Sequence, residues 1–421
     1  MPVTASGLPT PQRVAVVGAG MVGLATAWFL QEHGVEVTVL DREGVAAGSS
    51  WGNAGWLTPG ICTPLPEPAV LKYGLGAVLS PSSPVYVPPS ARPDFLRFVS
   101  GFTRHSTMAH WKRSMSKLVP INRLALESFD LLGAGGVDAT TREAESFVAA
   151  YRTTTDRETL VEEIEHIRAS GQTIDYDLLT GEEARAVEPS LSDAIGAAIR
   201  LKGQRFVDPG AYVHALADSV RARGGKIVDH ATVTDITDTG NGVTVNTAEG
   251  GGHDVDAVVV ATGAWLGRLT KQFGVKRVVQ AGRGYSFSVA VDHVPDGPVY
   301  FPSQRVACTP IGDRLRVAGM MEFRQPEAAL DPRRIRAIAE AARPFLRGAD
   351  LDDRQDEWVG SRPCTADGLP LIGATRSPRV FAAGGHGMWG ITLGPATGRL
   401  LAQAITTGEP VAELAPFDPL R

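Results

Sequence analysis

RVAVVGAGMVGLATAWFLQEHGVEVTVLD, residues 13–41, reads as a strand, a tight turn, a helix and a second strand in about thirty residues. RVAVV is a short apolar run that stops at glycines, helix-period residues follow from Met21 to Glu32, and Gly34 marks the helix stop. Val35, Val37 and Val39 then alternate with polar or smaller neighbours until the run ends at Asp41. The turn Gly18-Ala19-Gly20-Met21-Val22-Gly23 fits G-x-G-x-x-G. Gly18 permits the turn, Gly20 lets a pyrophosphate approach the backbone, and Gly23 lets helix and strand pack closely, while the helix N-terminus offers N–H groups and positive dipole. Asp41, eighteen positions beyond Gly23, is placed to accept the hydroxyls of an adenosine ribose. A glycine-rich turn alone is more often structural, but strand, helix and terminal acid together favour a dinucleotide site.

The 421 residues are 43% apolar, 21% charged and 7% aromatic, with a formal net charge of -5. That is a soluble globular composition, and at roughly 100 to 200 residues per domain it predicts two or three domains. The 41 basic and 46 acidic residues run without blocks, which gives no footprint for nucleic acid. Cys62, Cys308 and Cys364 are far apart and lack any C-x-x-C or Cys/His spacing, so reduced thiols and no metal are expected. No window reaches the roughly 18 consecutive apolar residues of a membrane helix, and the first twelve residues lack a signal-peptide pattern. A cytoplasmic location is expected, with peripheral docking on the inner face of a membrane left open.

Residues 1–12 are expected to be disordered. Nine prolines between residues 57 and 93 predict a long loop without persistent helix or central strand. Residues 94–132 read as mostly helical, 144–153 as a strand and 160–170 as an amphipathic helix. After a glycine and proline break at 202–210 come a helix at about 211–222, the strand KIVDHATVTDITDT at 226–239 and the run DVDAVVVATG at 254–263. Residues 278–323 alternate as an antiparallel sheet, followed by a helix at about 332–345, a strand at 379–385, a glycine-rich turn and a last helix at about 395–406.

NAD and FAD share the half-site at residues 18–41, so the rest of the chain must choose between them. GSSWGNAGWLTPG (48–60) resembles a loop of the FAD-dependent amino acid oxidoreductases of the D-amino acid oxidase superfamily, in particular the bacterial D-amino acid dehydrogenases. VDPGAYVHAL (207–216), DAVVVATGAWLG (256–267), RGYS (283–286), GDRLRVAGMMEF (312–323), GSRPCTADGLPLIG (360–373) and AAGGHGMWGITLGPATGRLLAQAI (382–405) follow in family order. On these the chain is identified as a member of the superfamily. The resemblance implies an α/β protein with an FAD-binding Rossmann-like domain and a discontinuous α+β substrate domain built on a mainly antiparallel sheet. The cofactor domain would take residues 13–70, 205–275 and 360–421, and the substrate domain residues 71–204 and 276–359.

The resemblance also implies site residues. Ser49, Ser50, Asn53, Ala54 and Gly55 match the loop that passes the flavin ring, where small residues let backbone amides reach its heteroatoms. Arg42, Val233, Thr262, Gly263 and Trp265 complete the dinucleotide contacts. His386, Gly387, Met388, Trp389, Gly390, Ile391 and Thr392 lead into the last helix, whose N-terminus would face the flavin pyrimidine edge and stabilise its negative charge. Arg362 is the expected anchor for the substrate carboxylate, since a planar guanidinium offers two parallel N–H groups to two oxygens. Tyr285 would help hold the same carboxylate, with Arg283 and Met320 as weaker pocket residues. FAD is expected to be non-covalent, because the position of the covalent cysteine of monomeric sarcosine oxidases falls at Gly360.

The implied reaction is oxidative deamination of a D-amino acid to a 2-oxo acid and ammonia, with hydride passing from Cα to flavin N5 and electrons leaving to a quinone or oxygen. No side-chain base is required. The alternative is oxidation of glycine or of a secondary amine such as sarcosine or D-proline. Thr309-Pro310 and Met388 stand where dehydrogenases and glycine oxidases, respectively, often carry arginine, which leaves carboxylate recognition mainly to Arg362.

Overall fold

The computed structural model describes residues 9–68 and 83–421. Expected disorder at residues 1–8 and the centre of the proline-rich loop, 69–82, lie outside them. Disorder does not extend to residue 12, whose amide donates to Asp256 Oδ2 at 2.8 Å.

β1 (Arg13–Val17), α1 (Met21–Glu32) and β2 (Glu36–Leu40) form the unit read from the sequence, with β1 and β2 parallel. They belong to a six-stranded sheet in the order Lys226–Val228, β2, β1, Ala257–Val260, Val380–Gly384, Leu371–Ala374, of which only the last strand is antiparallel. β1 is apolar throughout its core because both its faces are covered. Val14 and Val16 pack with α1 and the last helix, Gly390–Thr407. Ala15 and Val17 join a second cluster with Val243 and Val245 of a three-stranded antiparallel sheet.

The other large sheet is mainly antiparallel. β3 (Val279–Val291) lies between β4 (Arg314–Phe323) and β5 (Ala349–Thr365). Beyond β4 come Val306–Ile311, Val299–Phe301, Val148–Tyr151, Ala197–Leu201 and Tyr176–Thr180. Phe287 and Val289 pack against Ile335 and Ile338 of the helix Pro332–Ala342, which makes a separate core for this half.

Four expectations are corrected. KIVDHATVTDITDT is two strands, Lys226–Val228 and Val233–Asp238, broken where His230 turns to φ 57°. DVDAVVVATG also divides, into Gly252–Val255 and Ala257–Val260 of different sheets. The last helix begins at Gly390, five residues before the expected start. The boundary expected at residue 360 falls inside β5, so the antiparallel sheet continues to Thr365.

Candidate cofactor and substrate site

A cavity of about 320 Å³ opens where the parallel strands end and α1 begins. Gly18 has φ +116°, and a Cβ there would lie 2.5 Å from the Ala261 carbonyl oxygen. At Gly23 a Cβ would lie 1.9 Å from the Gly18 oxygen, so side chains at either place would push the helix N-terminus off the strand ends. Asp41 Oδ2 accepts from the Ala19 amide at 2.8 Å, and Oδ1 accepts from the Glu43 and Gly44 amides, both at 2.9 Å. The carboxylate therefore first shapes the turn. Its remaining lone pairs suit ribose hydroxyls in the cavity it lines.

Thr262 Oγ1 is buried at the cavity wall without a hydrogen-bond partner, a polar atom that calls for a bound group. The Arg42 guanidinium lies 3.9 Å above the Trp265 ring, whose Nε1 donates to Glu327 Oε1 at 2.7 Å. Arg268 also pairs with Glu327. A glycine turn at a helix N-terminus, an acid at the second strand end and an orphaned hydroxyl fit the phosphate, ribose and flavin-side groups of a dinucleotide.

The loop after Ala47 is pinned from the antiparallel half. Ser49 Oγ donates to the Ser361 carbonyl at 2.6 Å, Ser286 Oγ to Gly52 O at 2.8 Å, Arg316 Nη1 to Trp51 O at 2.8 Å and Thr309 Oγ1 to Ala54 O at 2.7 Å. Ser50 Oγ in turn accepts from the Met21 amide at 3.2 Å. Two halves of the molecule thus close on one loop.

Arg362 projects from β5 into the cavity, partly buried. Its Nη1 donates to the Met320 carbonyl at 2.9 Å, and no carboxylate pairs with it among the described residues. The guanidinium lies over Gly284 of β3, where a Cβ would stand 2.2 Å from Cζ. Between the pairs Arg283–Glu322 and Tyr285–Gly319, Gly284 alone faces both Met320 and Met321, a bulge that holds Met320 at φ 61°. Burial pushes the Arg362 pKa down, but a guanidinium remains charged. His386 also lines the cavity; it is buried, its Nε2 is 2.9 Å from Thr397 Oγ1, and burial pushes its pKa down to about 4, so the imidazole is neutral at physiological pH.

Of the residues expected at the site, Gly18, Gly20, Met21, Val22, Asp41, Arg42, Ser49, Ser50, Asn53, Val233, Thr262, Gly263, Trp265, Arg362, His386, Gly387, Met388, Gly390 and Ile391 line this cavity. Ala19, Gly23, Ala54 and Gly55 lie behind it as backbone. Trp389 donates from Nε1 to Thr63 O at 2.7 Å and Thr392 Oγ1 donates to Trp56 O at 2.8 Å, so both fasten the turn before the last helix. Tyr285 does not line this cavity: it is buried, and its hydroxyl donates to Glu322 Oε2 at 2.5 Å. Arg283 is buried beside it, paired with the same carboxylate at 3.2 Å. None of the three cysteines lines the cavity. Among the lining residues that sequence reasoning did not single out are Arg268, which adjoins a quoted motif, Pro363, which lies inside one, and Ala231, which comes to the wall through the break at His230.

The model of the DAO family, FAD dependent oxidoreductase, matches residues 13–404. The D-amino acid dehydrogenase of Agrobacterium fabrum is 29% identical over 409 residues, covering 94% of this chain and 96% of that one. That of Cereibacter sphaeroides is 30% identical over 416 residues, covering 96% and 94%. Among solved structures, glycine oxidase from Geobacillus kaustophilus superposes with a TM-score of 0.73 at 24% identity, covering 97% and 99% of the two chains. Iminodiacetate oxidase from Chelativorans gives 0.71 at 19% identity with the same coverage. With the matched model spanning nearly the whole chain and the cavity carrying a dinucleotide turn, this protein belongs to the FAD-dependent oxidoreductases of the DAO family.

Proposed function

We propose that the chain is a D-amino acid dehydrogenase, which oxidises a D-amino acid to a 2-oxo acid and ammonia and passes the electrons to a quinone. The six-stranded sheet with α1 and the last helix is read as its Rossmann-like cofactor domain. The observation that carries the substrate assignment is Arg362: a partly buried guanidinium in the cavity, without a carboxylate partner among the described residues. One of its N–H groups is taken by Met320 O, which fixes the plane of the fork and leaves another edge for two carboxylate oxygens. The names of the relatives supply the D-amino acid class.

FAD, when bound, is the hydride acceptor and supplies the oxidising chemistry. The chain's own residues bind and orient. Arg362 holds the carboxylate end so that the Cα–H is directed at the cofactor side of the cavity, an entropic contribution rather than a chemical one. Neutral His386 leaves the positive charge beside the substrate to Arg362 and places no second cation near a protonatable amine. Gly387, Gly390 and the N-terminus of the last helix line the cavity and would offer backbone N–H groups and partial positive charge to negative charge on a bound flavin.

An anaerobic absorbance titration of the yellow holoprotein with D-amino acids, L-amino acids and N-methylglycine tests this reading. Bleaching by D-amino acids, with colour returning fast on a quinone and slowly in air, is the expected result. Bleaching only by N-methylglycine or glycine moves the function to secondary or unsubstituted amines. If no amine bleaches the protein, Arg362 does not anchor a simple amino acid.

A further inference from the structure

Arg316 lies near the start of β4, inside the motif GDRLRVAGMMEF, and is only 5% exposed. Its Nη1 donates to the Trp51 carbonyl at 2.8 Å, and its Cζ sits 4.8 Å from the centroid of the Trp51 ring. Its Nε is buried without a partner, and among the described residues no carboxylate forms an ion pair with it, whereas the buried Arg283 meets Glu322 at 3.2 Å. Residues 1–8 and 69–82 contain no Asp or Glu that could serve. Asp208 and Asp356 feel its charge from beyond ion-pair distance, but both are exposed and otherwise engaged. Asp208 Oδ1 accepts from the Gly210 and Ala211 amides at the start of the helix Pro209–Ala222, and Asp356 Oδ2 accepts from the Ser288 hydroxyl at 2.8 Å. Burial pulls the Arg316 pKa down, yet a guanidinium keeps its proton.

Holding the loop does not call for a charge. Thr309, the direct neighbour of Arg316 across the strand pair, holds Ala54 O with a neutral hydroxyl, and Ser286 holds Gly52 O in the same way. A buried cation costs far more to desolvate than a hydroxyl, and the cost is offset only where a counter-charge stands against it. The protein supplies none in contact. The other side of the loop can: Ser49, Ser50 and Asn53 line the cofactor cavity, and Arg316 touches the same loop from behind. Trp51 follows Ser50 in the chain, so bond lengths alone keep the guanidinium within about 11 Å of the cavity wall.

We propose that Arg316 raises the affinity of the bound flavin for electrons, acting through its field from behind the loop without touching the ring. The ring is neutral when oxidised and gains negative charge when reduced, so a fixed cation with no anion in contact favours the reduced form. Asp208 and Asp356 oppose this weakly, because their charges face water. The diphosphate of FAD is already answered by the glycine turn and the N-terminus of α1, and its charge is the same in both redox states. The inference rests on FAD being bound and not on which amine is oxidised.

Sulfite adds reversibly at flavin N5, leaves negative charge on the ring and bleaches the yellow holoprotein, so it reads this property without any amine. Arg316→Gln keeps an N–H donor for Trp51 O and removes the charge. Unit charges about 12 Å apart at an effective dielectric constant of about 20 are worth roughly a tenfold factor, so this variant should bind sulfite about tenfold more weakly. The same factor lowers the two-electron potential by about 30 mV, measured by stepwise dithionite reduction beside a reference dye. Arg316→Lys keeps the charge and should stay within about threefold of the parent. Asp356→Asn, at an exposed residue whose φ of 54° asparagine tolerates, should tighten sulfite binding about twofold. Unchanged sulfite affinity and potential in Arg316→Gln, or equal losses in the Gln and Lys variants, would overturn the proposal. So would loss of FAD with the potential of the retained flavin unchanged, which would assign the charge to the diphosphate. If Arg316→Gln does not fold, Asp356→Asn still decides: sulfite affinity that is unchanged or weaker there would overturn the proposal.

Discussion

The two halves of this molecule build their share of the site from different material. On the parallel-sheet side the work is done by backbone: the Ala19 and Met21 amides, the glycines of the turn and the ends of two helices, with Asp41 as the main charge. On the antiparallel side it is done by side chains, many of them charged and buried. Glu322 and Arg283 are fully buried, and the same carboxylate takes the Tyr285 hydroxyl and an ion pair with Arg324 at 3.2 Å. Arg362 emerges beside this cluster, seated on Gly284. A backbone site tolerates changes of side chain so long as the glycines remain, whereas a side-chain site fails when one partner is removed.

The largest effect is expected at Glu322. Glu322→Gln leaves Arg283 buried without its counter-charge and should cost about 3–5 kcal/mol of stability, read by urea unfolding. An unchanged midpoint would mean that the cluster does not hold the antiparallel half together. Next is Gly284→Ala, which sets a methyl group where the guanidinium lies. kcat/KM should fall roughly a hundredfold, mostly through KM, with the flavin spectrum unchanged. The matching change on the other side, Gly18→Ala, should instead lower flavin content, and a result in which both variants lose flavin would erase the distinction between the halves.

The smallest effect is at His386. Its pKa in the fold, about 4, lies below the value near 6.5 of an unfolded histidine, so the unfolded chain takes up the proton first as pH falls. Stability should therefore decline from about pH 6.5 toward pH 4, and His386→Gln should flatten that slope while changing little at neutral pH. Thermal melts across the window measure it, and an unaltered slope would show that the buried imidazole does not control it.

The same contrast explains how much could be read in advance. The turn from Gly18 to Asp41 is legible because each residue's task is set by neighbours within one supersecondary unit. Arg362 is legible only through its motif, since nothing local distinguishes an anchoring arginine from a structural one. Tyr285 sits in an equally good motif, yet the pairing of β3 with β4 carries its hydroxyl to Glu322. That outcome depends on a bulge at Met320, some thirty-five residues away, and strand register over such a distance leaves no local pattern. The break at His230 is invisible for a related reason: a non-glycine residue at positive φ is imposed by the two sheets it separates.

The loop at residues 49–54 is held by Ser286, Thr309, Arg316 and Ser361, all encoded more than two hundred residues later. During synthesis the glycine turn leaves the ribosome early, but the loop beside it receives its last fastening only when Ser361 has emerged. A fragment cut short before that point lacks a shaped place for the coenzyme.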